Sequence, residues 1–72
     1  MSKIPVLKPK EILRILKRAG FEEIRSKGSH VHLKKEEKLV TVPMHNRDLK
    51  IKTLKSILSQ ANITVEELIK LL

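Results

Sequence analysis

Cysteine, tryptophan and tyrosine are absent from the chain, and Phe21 is its single phenylalanine. Without cysteine there is no disulfide framework and no thiolate zinc site, and the redox compartment stays open. One aromatic ring is too few for the stacking platforms that grip successive bases of a single strand. No apolar run approaches the ~20 residues of a membrane-spanning helix. Nor is there the short apolar core of a secretory signal. No membrane attachment and a cytoplasmic location are therefore expected. Acidic residues are scarce beside basic ones: 8 Asp and Glu against 16 Lys and Arg leave a net charge of +8. An excess of that size on 72 residues favours nucleic acid or another acidic partner. A chain of this length has room for one core, so residues 1–72 are expected to form one domain.

What is present is a rich supply of Ile, Leu and Val, arranged with two different periods. Met1 to Lys8 reads as a lead-in. Pro9 suits the first position of a helix, where its missing N–H is not needed. Ile12, Leu13, Ile15, Leu16 and Ala19 then recur at helical spacing, with Lys17 and Arg18 near the negative end of the dipole and Gly20 as the stop. The first helix is expected over Pro9–Ala19. From Phe21 the period changes to two. Phe21–Ser26 reads as a strand and Lys27-Gly28 as a tight turn, which would set Ile24 opposite Val31 and Arg25 opposite His30. Across Glu36-Glu37 a second hairpin sets Leu33 opposite Val40 and Val31 opposite Val42. Both counts put Ile24, Val31, Leu33, Val40 and Val42 on one face. Glu23, Arg25, His30, His32, Lys34 and Thr41 fall on the other.

Pro43 closes the third strand, because it cannot donate to a continuing ladder. Met44–Lys50 is a polar connection. A second helix begins near Ile51, burying Leu54, Ile57, Leu58 and Ala61, and Asn62 is a left-handed stop. Thr64-Val65-Glu66-Glu67 has the capping-box pattern that opens a last helix carrying Val65, Leu68, Ile69 and Leu72. The expected class is α+β, in the order α-β-β-β-α-α: a three-stranded antiparallel sheet with one apolar side packed on helices.

The chemistry lies on the other side of that sheet. His30 is the leading candidate for catalysis, because imidazole both takes and gives a proton near neutral pH. It could serve as base on a ribose 2′-hydroxyl or as acid on a departing 5′-oxygen, with Ser29, Lys27 or Lys34 holding the phosphate. A solvent-facing strand histidine without a role has the same spacing. Three histidines raise the question of a metal, but no carboxylate sits beside His30 and His32, and the neighbouring charges are cationic. No metal and no cofactor are expected. His32 and His45 are read as RNA contacts. Arg25, Lys27, Lys34, Lys35, Arg47, Lys50 and Lys52 are candidate phosphate contacts, which position a nucleic acid without reading its sequence.

Four stretches carry a resemblance. Leu16-Lys17-Arg18-Ala19-Gly20-Phe21, Lys27-Gly28-Ser29-His30, Val42-Pro43-Met44-His45 and the closing run from Leu54 to Ile63 together resemble HicA-type toxins, over about Lys8 to Leu72. The chain departs from the family pattern at Leu33, where an aromatic is common, and at Lys52 and Asn62, where Gly often stands. The resemblance implies a fold like that of double-stranded RNA-binding domains. It also implies an mRNA interferase, an endoribonuclease that cleaves transcripts, whose catalytic histidine directly follows the Gly-Ser pair. That role passes to His30 alone. A HicB-type antitoxin covering the His30 face is the implied protein partner, and mRNA the implied substrate. The rival readings are a non-catalytic RNA-binding module on the same fold, and a basic protein-interaction domain.

Overall fold

The computed structural model describes residues 4–72, so Met1–Lys3 of the expected lead-in lie outside the described residues. The elements are α1 (Pro9–Arg18), β1 (Glu22–Lys27), β2 (His30–Lys35), β3 (Lys38–Pro43), α2 (Ile51–Ala61) and α3 (Val65–Leu71). The strands form one antiparallel sheet in the order β1-β2-β3. This is the α+β order expected from the two periods.

Local chemistry fixes the helix ends. At the start of α1 the Lys8 N–H donates to Glu11 Oε1 at 2.9 Å. At its end, Phe21 N–H returns to the Leu16 carbonyl at 3.0 Å and Gly20 N–H to Lys17 at 3.1 Å. That is a Schellman closure, and it requires the left-handed backbone that Gly20 adopts at φ +103°. The closure delivers Phe21 into the core, where it is buried beside Leu16. α2 ends in the same way. Ile63 N–H reaches Leu58 and Asn62 N–H reaches Ser59, with Asn62 at φ 56°. Asparagine is among the few side chains that accept this conformation, so it serves as the stop. Thr64 and Glu67 form the expected capping box of α3.

The β2–β3 register is the expected one, Leu33 opposite Val40 and Val31 opposite Val42, and all four are buried. Helices cover this side. Ile12, Ile15 and Leu16 of α1, Leu54, Ile57, Leu58 and Ala61 of α2, and Leu68 of α3 complete the cluster. Two further core residues carry no periodic signal. Leu7 and Leu49 are both buried and are joined by a Leu49 N–H to Leu7 carbonyl bond of 2.7 Å.

The first hairpin corrects the sequence reading. Lys27 pairs with His30, so the turn is Gly28-Ser29 rather than Lys27-Gly28. Gly28, at φ +58°, supplies the positive angle at the first turn position. Val31 consequently faces Ser26, two residues from Ile24. A two-residue shift preserves alternation, which is why β2 keeps its faces. A bulge between Glu23 and Arg25 then takes Ile24 out of the ladder. Ile24 is 54% exposed and does not point into the core. Glu23 pairs with Leu33 instead of joining the outer row, and Glu22 takes the place opposite Lys34. β1 is an edge strand, exposed along its whole length, and a bulge protects such an edge by twisting it away from further pairing.

Candidate active site

β2 is the central strand, and its alternation decides the site. Val31 and Leu33 are buried, so His30, His32 and Lys34 share the face without helices. The neighbouring strands complete three rows across that face. The first is Lys27–His30–Pro43, the second Arg25–His32–Thr41 and the third Glu22–Lys34–Leu39. Cross-strand partners are close enough to touch. Each histidine therefore has one cation of β1 beside it, Lys27 for His30 and Arg25 for His32. Counting across a Lys27-Gly28 turn puts Arg25 opposite His30. Its move to His32 follows from the displaced turn.

His30 is exposed at the end of β2 next to the Gly28-Ser29 turn. Its partner on β3, Pro43, fits for a specific reason. In an antiparallel ladder, narrow pairs without hydrogen bonds alternate with bonded ones. The Thr41 N–H leaves the sheet to meet Gln60 Oε1 at 3.2 Å, which marks His32–Thr41 as a narrow pair. His30–Pro43, two residues on, is narrow as well, so the N–H that proline lacks is not missed. One step further the ladder closes again, with Met44 N–H donating to the Ser29 carbonyl. This bond ties the Gly-Ser-His stretch to Pro43-Met44-His45, two segments that the sequence places a dozen residues apart.

His32 is half-buried, and its Nδ1 lies 3.0 Å from Thr41 Oγ1. The narrow pairing brings the two side chains together. His45 is exposed in the connection after β3, where its Nδ1 accepts the Arg47 N–H at 3.1 Å. In the neutral ring that bond leaves the proton on Nε2. His45, Arg47 and Lys50, with Pro43, Asp48 and Thr53, line an open depression of about 470 Å³ that starts at the Pro43 edge of the His30 row. The sequence had given no sign that Lys50 and His45 border one hollow, because only the closed loop brings them together.

Lys35 is placed differently from the other basic candidates. It falls on the core side of β2, is part-buried, and donates through Nζ to the Ala19 carbonyl at 2.7 Å. That bond satisfies an orphan carbonyl at the end of α1. Lys34, Arg25 and Lys27 remain exposed, as is Ser29 at the turn. Among the described residues no three His, Cys, Asp or Glu side chains gather as a metal site would require. Nor is any helix among them long and apolar enough to cross a membrane.

A comparison with family models matches residues 9–63 to the family described as the HicA toxin of bacterial toxin-antitoxin systems. The matched span runs from the first residue of α1 past the Asn62 stop of α2, and so contains all three strands. A comparison with curated proteins gives no match.

Proposed function

The chain belongs to the HicA toxin family, a toxin component of bacterial toxin–antitoxin systems, and from that premise we propose that it is an mRNA interferase. Its reaction is endonucleolytic cleavage of RNA, with His30 as the proton-transfer residue. His30 moves a proton as a ribose 2′-oxygen attacks the adjacent phosphorus or as the 5′-oxygen departs, with no metal required. Lys27 beside His30 and Arg25 in the next row offset charge on the phosphate, which is what preorganised cations contribute in such a site. Ser29, Lys34, His45 and Arg47 extend the RNA contact on both sides. A HicB-type antitoxin silences the toxin by covering the His30 face, and the chain acts in the cytoplasm as one domain.

The observation that carries this reading is the position of His30. It is an exposed imidazole on the central strand of an open sheet face, paired with Lys27. A histidine there reaches a bound backbone without any rearrangement of the core. The test compares wild type with His30→Ala on RNA. The variant is expected to keep its fold and most of its RNA affinity while cleaving ~10²–10⁴-fold more slowly, the usual loss for a general acid or base. Cleavage at the wild-type rate by His30→Ala would remove His30 from the chemistry. A wild-type protein that binds RNA without cutting it would leave a binding module.

A further inference from the structure

We propose that His32 is the second proton-transfer group of the same reaction, so that His30 and His32 work as an acid–base pair. The proposal rests on the endoribonuclease reading above and adds a residue to it. In-line cleavage needs a proton removed from the 2′-hydroxyl and a proton delivered to the 5′-oxygen. The two oxygens lie on opposite sides of one phosphorus, and each catalytic nitrogen must come within ~3 Å of its own oxygen. One ring cannot stand at both places at once. Two residues at i and i+2 of a strand face the same way with their Cα atoms ~6.6 Å apart, a span that brackets a single phosphate.

The surroundings of His32 differ from those of a stray surface histidine. Its ring is half-buried and held through Nδ1 by Thr41 Oγ1 at 3.0 Å, which leaves Nε2 to meet substrate. Thr41 is itself fixed, because its N–H is bound by Gln60 of α2. Arg25 stands across from His32 as Lys27 does from His30, so each imidazole has a cation ready for the non-bridging oxygens. The other charged groups on this face are Lys34, two residues on, and Glu22, which is paired with it.

The step balances without a co-reactant. One histidine, neutral, accepts the 2′-hydroxyl proton as the O2′–P bond forms. The other, protonated, gives its proton to O5′ as the P–O5′ bond breaks. The products are a 2′,3′-cyclic phosphate and a 5′-hydroxyl, and exchange of protons with water resets the pair. Thr41 is a positioning residue, acting on the reaction through the orientation of His32.

Single-turnover cleavage of RNA across pH tests this with wild type, His32→Ala, His32→Gln, Thr41→Val and Thr41→Ser. The glutamine is close in size and places an amide near the Nε2 position but cannot titrate, so it decides the matter should the alanine variant fold poorly. Wild type is expected to show a bell-shaped profile. Both His32 variants should lose ~10²–10⁴-fold in rate with RNA affinity retained, and should keep only one limb of the bell. Thr41→Val should slow cleavage and Thr41→Ser restore it. A substrate with sulfur in place of O5′ at the scissile bond needs no acid, so it should rescue either His30→Ala or His32→Ala but not both. The proposal is overturned if His32→Gln cleaves as fast as wild type, or slows with both limbs intact. If His30→Ala also cleaves normally, the reading beneath it fails too. If His30→Ala alone is dead, only the pairing with His32 is lost.

Discussion

Neighbouring residues of β2 answer to opposite demands. His30 projects from the open face and is exposed, while Leu33, three residues on, is wholly buried under the helices. Replacing His30 removes nothing that packs, so stability should move by less than ~0.5 kcal/mol. Leu33→Ala takes a side chain out of the centre of the core and leaves a cavity behind. It should cost ~2–5 kcal/mol, read as a lowered midpoint in urea denaturation. The two substitutions separate function from fold within one strand: His30→Ala should unfold like wild type and fail to cleave, and Leu33→Ala should unfold early. His45→Ala belongs between them. It takes the acceptor from the Arg47 N–H and one wall from the adjoining depression, so RNA affinity should fall by a few-fold while cleavage of bound RNA continues. Affinity and single-turnover rate, measured on the same variant, check both halves of that expectation.

At the scale of elements, the start of α3 carries a cap that answers to pH. The Thr64 backbone N–H, and then the Thr64 hydroxyl, hold the Glu67 carboxyl below the ordinary glutamate value. A carboxylate favoured by the folded helix supports that helix fully above its ordinary pKa and loses this role as pH falls through the lowered one. Protection of the α3 amides, taken against the intrinsic exchange rate at each pH, should therefore weaken on acidification. Thr64→Ala should weaken it at neutral pH and flatten the acid response. An α3 equally protected in the variant across that range would contradict the assignment. The capping box was readable from sequence because its four residues are contiguous, as were the Gly20 and Asn62 stops. The β2–β3 register was readable because Val31, Leu33, Val40 and Val42 alternate without interruption through a two-residue turn. β1 was not. Its bulge removes Ile24 from the ladder, yet nothing in Glu22-Glu23-Ile24-Arg25 marks where an edge strand takes an extra residue. Leu7 and Leu49 were missed for a related reason: each lies in an aperiodic stretch, and a backbone bond joins the two across the chain. Of the candidate site, alternation alone was enough to put His30, His32 and Lys34 together. The bond of Lys35 to Ala19 depends on where α1 ends in space, which no spacing along the chain encodes.

For the whole molecule, the net charge of +8 should dominate binding to any polyanion. Lys27, Arg25 and Lys34 on the open face, with Arg47 and Lys50 beyond Pro43, would each displace condensed counterions from RNA. The logarithm of affinity should then fall linearly with that of salt concentration, with a slope of ~0.7 per contacted phosphate on a single strand. Removing the charge of Lys27 or Lys34 should lower the slope by about one such step, whereas Lys35, turned inward, should change it least. A salt-independent affinity would mean that the excess charge serves a partner other than a phosphate backbone. Affinity cannot separate a nuclease from a binding module, since both use the same cations. The chemistry of the ends can. A histidine-assisted attack by the 2′-oxygen leaves its mark on the product, and the mark does not depend on which sequence is cut. The most direct measurement is end-group analysis of RNA incubated with the protein in the presence of EDTA. The account predicts cleavage that persists under chelation, yielding 2′,3′-cyclic phosphate or 3′-phosphate ends opposite 5′-hydroxyls. Fragments with 3′-hydroxyl and 5′-phosphate ends, or cleavage abolished by EDTA and restored by a divalent ion, would contradict it.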